Sequence, residues 1–271
     1  MAKRSFNVTD LPGFATIALV VFAALYAPML VLVLFSFNAA DTPARWDGFS
    51  LDWYRLALQN GEVQAAALNS LQIALGAAVI STALATAAAL GTTRRKAFAG
   101  QTFIYAMINQ PLMVPEIVTA VALLLVTAAI KQATGYAGLG YLILAHSAFC
   151  IPFAYLPIRA RLEGMDLTLE TAAADLYANR WQTFRRVTLP LLMPAIFAGA
   201  MLAFVTSLDD VVITEFIKSP GQDTLPTYML GQLRRAMKPD VNAISTGILA
   251  LTLILLSAFY LATRTRKNPK A

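Results

Sequence analysis

Three carboxylates interrupt the apolar runs of this 271-residue chain: Glu116, Asp209 and Asp210. Ionisable groups at membrane depth are costly, and they ordinarily face a bundle interior, a partner or a water path. Glu116 follows Pro111 and Pro115, a double break expected to open backbone carbonyls to a cavity. Asn109 and Gln110, just ahead of Pro111, are candidates to line the inner half of such a path. Asp209 and Asp210 fall toward the outer part of a later apolar run. The chemistry on offer is electrostatic, the holding and passing of a cation rather than the making of bonds. The rival reading is that these acids cap helices or pair with Lys or Arg at an interface between subunits.

Other reactive residue types are scarce. His146 and Cys150 lie four apart and share a helical face. Two ligands with no Asp, Glu or further His beside them make a poor metal site, so packing or a polar contact is expected and no metal. The single cysteine excludes an internal disulfide. The chain contains no GxxxxGK[ST] loop, so no ATP hydrolysis is expected of it, and no catalytic residue or bound cofactor either. Asn69 and Ser70 are weaker candidates for the path.

The elements that would position these groups follow from composition. Hydrophobic residues make up 58% of the chain and charged ones 13%, whereas soluble domains approach a quarter charged. Six runs reach the length needed to cross a hydrocarbon core of about 30 Å. They are placed at about 14–35, 65–90, 103–130, 139–158, 191–212 and 244–262, the third being the least regular. The fold class is therefore an all-α membrane protein with six transmembrane helices in a domain over 14–263, flanked by short segments at 1–13 and 264–271. The first run exceeds a signal-peptide core and no small-residue cleavage site follows it, so it reads as a retained span. Small residues in the second and fifth spans permit close helix packing.

Lys and Arg set the orientation. With the N-terminus in the cytoplasm, fourteen fall inside (Lys3, Arg4, Arg94, Arg95, Lys96, Arg159, Arg161, Arg180, Arg185, Arg186, Arg264, Arg266, Lys267 and Lys270). Seven fall outside (Arg45, Arg55, Lys131, Lys218, Arg234, Arg235 and Lys238). Both termini are thus expected in the cytoplasm. The net charge of +6 resides at the ends of apolar runs, which argues against nucleic acid. On the outer side, Trp53–Leu58 is a candidate interfacial helix, and YMLGQLRRAM a short amphipathic one after a turn-rich SPGQDTLP.

One segment, 163–190, is too polar to span and falls on the cytoplasmic side. Leu169–Tyr177 reads as a helix capped by Asp166 or Thr168, with Glu170 in its first turns. Ala172, Ala173 and Ala174 favour helix and let another protein approach the backbone. Arg180–Arg186 forms a second helical piece with Trp181 and Phe184 on one face, ended by Pro190.

The stretch LETAAADLYANRWQTFRRVTLPLLMPAI resembles the EAA loop of bacterial ABC-transporter permeases. The match runs over Ala172, Ala173, Asp175, Leu176, Ala178, Phe184, Val187, Leu189 and Pro190. Thr171 stands where the motif has Glu, with Glu170 adjacent, and Tyr177 stands where it has Gly. Since a tyrosine at positive φ is costly, a turn of another shape is expected there. FNAADTPARWDGFSLDWY, ALNSLQIALGAA, PLMVPEIVTAVALLL and SLDDVVITEFIKSPGQDTLPTYMLGQLRRAMKPDVNAISTGIL are similar to the polyamine subgroup, the second permease subunits of spermidine/putrescine importers of the PotC/PotI type.

The resemblance implies the type I ABC importer permease (MetI-like) fold in a bacterial inner membrane. It implies a heterodimer with a homologous permease, two ATPase subunits beneath, which use ATP and Mg, and a periplasmic solute-binding protein above. Glu170, Thr171, Ala172, Ala173, Asp175, Tyr177, Arg180, Phe184 and Pro190 would couple to the ATPase. Glu116, Asp209, Asp210, Asn109 and Gln110 would line the path of a cation, with aromatic faces adding cation–π attraction. Putrescine or spermidine is the expected solute. An amino-acid-derived solute or opine, or an ion-coupled secondary transporter, is the alternative.

Overall fold

The computed structural model describes residues 13–41, 45–94, 98–235 and 240–263. The expected terminal segments, 1–13 and 264–271, lie outside the described residues except for Gly13, as do Arg95, Lys96 and Lys238. The described residues are all-α, with a lone β-bridge between Asn38 and Phe49. Six of their helical stretches are long and apolar enough to cross a membrane: Phe14–Phe35, Gly61–Thr93, Glu116–Thr134, Gly140–Glu163, Arg180–Leu208 and Asp240–Ala258.

The chain resolves into two compact units. One falls within Met1–Asn60 and Gly231–Leu253, the other within Gly61–Leu230 and Ile254–Ala271. In the first, helix α1 (Phe14–Phe35) is apolar on all sides and buries none of its residues, as a lipid-facing helix does. The chain after it is organised around Asn38. Its Oδ1 accepts from the Asp47 and Ala40 amides, its Nδ2 donates to the Arg45 carbonyl, and its own carbonyl accepts from Trp53 Nε1 at 3.0 Å. Those bonds seat the short helix α2 (Asp52–Gln59), whose Tyr54 hydroxyl bonds Ser36.

The second unit carries the core. Helix α3 (Gly61–Thr93) buries Ala66, Ser70, Ile73, Ala77, Ser81, Ala85, Ala89 and Thr92, a stripe of mostly small residues at helical spacing. That stripe lets α6 (Gly140–Glu163) and α9 (Leu189–Leu208) close on it. At Gly199 α9 lies directly against the backbone of α6: a Cβ there would stand 2.8 Å from the Ala154 carbonyl oxygen.

The run expected as one span over 103–130 is two helices, α4 (Gln101–Met113) and α5 (Glu116–Thr134). Val114 precedes a proline and is driven to extended backbone (φ −102°, ψ 140°), which ends α4. Pro115 then starts α5. The run expected to 212 likewise stops at Leu208, and α10 (Val212–Ile217) starts after Asp209, Asp210 and Val211. The remaining elements are α7 (Thr168–Asp175), α8 (Arg180–Thr183), a π-helical turn over Phe184–Thr188 that runs into α9, α11 (Leu225–Arg235) and α12 (Asp240–Thr263).

Candidate functional site: broken helices and a polar loop

The candidate acids gather at two helix breaks. Glu116 is the first residue of α5 and is exposed. Asp209 and Asp210 occupy the gap between α9 and α10 and face opposite ways. Asp210 is 5% exposed, whereas Asp209 is exposed. Asp210 Oδ2 accepts from the Thr214 amide and the Thr214 hydroxyl, each at 2.9 Å, and its Oδ1 accepts from the Ile213 amide at 3.2 Å. It caps α10 by satisfying amides that have no intrahelical carbonyl.

His146, wholly buried on α6, ties the same break together. Its Nε2 lies 3.0 Å from Thr214 Oγ1, and its Nδ1 lies 2.8 Å from Ser207 Oγ. Because Thr214 donates to Asp210, its oxygen accepts from Nε2–H, and in a neutral ring Nδ1 then accepts from Ser207. Cys150, one turn on, donates to the Ala203 carbonyl at 3.4 Å. No group of three or more His, Cys, Asp or Glu fit to hold a metal occurs among the described residues.

The remaining path candidates separate. Asn109 is buried and donates to the Tyr105 carbonyl at 2.8 Å, while Gln110 is part-exposed. Asn69 and Ser70 hold the α10–α11 loop instead. Asn69 Nδ2 donates to the Gly221 and Asp223 carbonyls, and Ser70 Oγ accepts from the Leu225 amide. Lys131 clamps the same loop, donating to the Ile217 carbonyl and Ser219 Oγ with its ammonium 4.0 Å above the Tyr141 ring. Of the three candidate acids, Glu116 and Asp209 are exposed and Asp210 is buried. Sequence reasoning missed Ser207 and Thr214. Thr214 sits four residues after Asp210, a spacing that becomes informative only once a helix is known to start between them.

In the polar segment, Asp166 Oδ1 accepts from the Thr168 amide at 2.9 Å, and that bond holds its carboxyl below the usual aspartate value. Helix α7 ends as a Schellman motif: the Ala178 amide bonds the Ala173 carbonyl at 3.0 Å and the Tyr177 amide bonds the Ala174 carbonyl at 2.9 Å. Tyr177 itself adopts φ 60°, alone among described non-glycine residues. The expectation of a different turn is thereby corrected. The tyrosine takes the left-handed conformation a glycine would take, because two backbone bonds enforce it. Asn179 and Gln182 then form a capping box that starts α8. Trp181 and Phe184 pack as a tilted ring pair with centroids 5.6 Å apart, and Pro190 lies in the first turn of α9.

One face of α7 and its turn is apolar and open: Leu169, Ala172, Leu176 and Tyr177 are exposed, the last at 95%. Thr171 bonds its hydroxyl back to the Leu167 carbonyl, and Asp175 is exposed. Ala173 is half-buried. Glu170 points the other way, toward α3. A cleft of about 710 Å³ beside it is lined by Leu90, Arg94, Glu170, Arg180 and Phe184.

Residues 80–267 match the family described as "Binding-protein-dependent transport system inner membrane component". The chain is 38% identical over 269 residues to the putrescine transport system permease protein PotI of Escherichia coli (strain K12), covering 98% of this chain and 96% of that one. It is 34% identical over 252 residues to the spermidine/putrescine transport system permease protein PotC of the same strain, covering 93% of each. Among solved structures, a bacterial ABC transporter involved in the import of the acidic polysaccharide alginate has a similar chain. The TM-score is 0.74 at 16% identity, over 93% of each chain, so the likeness there is one of fold.

Proposed function

The chain belongs to the family of binding-protein-dependent transport system inner-membrane components, and from that premise we propose that it forms half of the translocation pathway of an ATP-driven importer for putrescine or spermidine. As an ABC-importer permease it is a multi-pass inner-membrane protein that serves a small solute. The polyamine assignment rests on the 38% identity to the putrescine permease across nearly the full length of both chains. The exposed carboxylates of Glu116 and Asp209 at two helix breaks add to it, because an extended diammonium cation asks for separated negative groups.

In this reading both termini are cytoplasmic, a homologous permease completes the pathway, and a binding protein delivers the solute from the periplasmic side. The α7 face of Leu169, Ala172, Leu176 and Tyr177 seats in a groove of an ATPase subunit, and ATP-driven closure of the ATPase pair rocks the helices behind it. This chain contributes positioning and charge, with ATP and Mg used by the ATPase.

The test is uptake by proteoliposomes holding this chain with its sister permease, ATPase subunits and binding protein. ATP-dependent uptake of labelled putrescine or spermidine is expected. Uptake of an opine or another amino-acid-derived solute in their place would move the assignment to another small solute. Uptake driven by an ion gradient without the ATPase would overturn the importer mechanism.

A further inference from the structure

Arg94 follows the last residue of α3 and reaches two other elements. Its Nε donates to Glu170 Oε1 on α7 at 3.1 Å, and its Nη1 donates to the Leu162 carbonyl near the end of α6 at 3.0 Å. Thr188, buried at the last position of the π-helical turn, donates its hydroxyl to the same Glu170 oxygen at 3.1 Å. One guanidinium–carboxylate pair thus joins the ends of α3 and α6 to α7 and to the start of α9. The pair is largely screened from water, with side chains 19% and 23% exposed.

We infer that Arg94 is a positioning residue for energy coupling: the Arg94–Glu170–Thr188 clamp makes α7 move as one body with α3, α6 and α9. The inference rests on the reading of α7 as the ATPase-docking helix. Glu170 cannot serve the outer face of α7 while both of these donors hold it inward, so its work is within this chain. A planar guanidinium fixes direction as well as distance, which a lysine ammonium does not. The Leu162 carbonyl lies in the last turn of α6, where it accepts a long 3.4 Å bond from the Met165 amide, and Arg94 adds a shorter second donor. Without the clamp, α7 keeps its chain connections at residues 164–167 and 176–179 and its packing on α8 and the π-helical turn, and loses its hydrogen-bonded tie to α3 and α6. A push on α7 would then be absorbed by bending those links instead of moving the pathway helices. π-helical turns recur at functional positions, and here the turn ends on the residue that completes the clamp.

The experiment uses the assembled complex with binding protein in proteoliposomes and reads solute imported per ATP hydrolysed, together with retention of the ATPase subunits on purification. Arg94→Gln is expected to retain the ATPase subunits and to lower import per ATP by about five-fold or more, the lower end of ordinary coupling between sites. Arg94→Lys is expected to fall between wild type and Arg94→Gln. The double variant Arg94→Gln/Glu170→Gln is expected to be no worse than Arg94→Gln, since both changes break one unit. An unchanged ratio in Arg94→Gln, loss of the ATPase subunits from it, or additive losses in the double variant would each overturn the inference. Ala172→Asp serves as the separate control on the docking reading. If it leaves the ATPase attached and uptake intact, that reading fails whatever Arg94→Gln does.

Discussion

Asp209 and Asp210 are neighbours in the chain with opposite tasks: Asp210 turns inward and accepts three hydrogen bonds from Ile213 and Thr214, while Asp209 stays exposed at the end of α9. The consequences of removing each acid should therefore differ in kind. Asp210→Ala leaves the Thr214 amide and hydroxyl and the Ile213 amide without their acceptor. Unsatisfied buried groups cost about 1–3 kcal/mol each, so a lower melting temperature in detergent and poor yield are expected. Asp209→Asn is isosteric and exposed, so thermal stability should hold. What should fall is ATP-dependent uptake of a divalent polyamine. Normal uptake with Asp209→Asn would remove this residue from the pathway.

Tyr177 provides a prediction with two parts. Holding a non-glycine residue in the left-handed region costs about 1–2 kcal/mol, and Tyr177 sits there at φ 60° with its ring almost fully exposed. Tyr177→Gly relieves the backbone and removes the ring; Tyr177→Ala removes the ring and keeps most of the strain. If the ring serves ATPase docking, both variants bind the ATPase more weakly than wild type in a pull-down. Tyr177→Gly alone should melt higher than Tyr177→Ala, by the equivalent of about 1 kcal/mol.

The helix breaks show how far the sequence carried this fold and where it stopped. Apolar length placed the transmembrane runs, and a Leu–Pro ending with an alanine-rich helix marked the polar loop. Two things were out of reach. The run around Pro111 and Pro115 reads as one apolar stretch because hydropathy averages over the break that Val114 and Pro115 impose. The direction in which an acid points depends on where a helix starts, as for Asp210 ahead of α10, and on partners far along the chain. His146 lies 68 residues from Thr214, and Arg94 lies 76 from Glu170. The tyrosine at 177 shows the reverse case, in which propensity argued against a turn that two backbone hydrogen bonds nonetheless impose.

Two glycines test the packing of the core. A Cβ on Gly199 would stand 2.8 Å from the Ala154 carbonyl oxygen and 3.1 Å from its Cα, so two helix backbones must separate. A Cβ on Gly76 would stand 2.8 Å from Ile143 Cγ2, a side-chain methyl rather than backbone, so one side chain has to shift and not two helix backbones. Overpacking a tight core costs about 1–3 kcal/mol. Gly199→Ala should sit at the top of that range and Gly76→Ala at the bottom, as read from melting temperatures in the same detergent. Equal losses would mean that the α6–α9 contact yields as easily as one isoleucine rotamer.

Lys218 gives the alkaline limit of the α10–α11 loop. Burial works against its charge, but the carboxylates of Asp223 at 2.7 Å and Glu215 at 2.6 Å outweigh that and hold its pKa above the ordinary lysine value. A cation whose pKa is raised by folding adds stability that is complete below the unfolded value, about 10.4 for lysine. That stability is lost as pH rises through the higher folded value. The loop, also held by Asn69 and Gln222, should thus be insensitive to pH between about 6 and 9 on this account. Above about pH 10.5 the wild-type protein should lose melting temperature faster than Lys218→Met. At neutral pH the order is reversed, since the variant leaves two carboxylates facing a methionine and starts from a lower melting temperature. Parallel curves for the two proteins across the alkaline range would show that the ammonium contributes nothing to holding the loop.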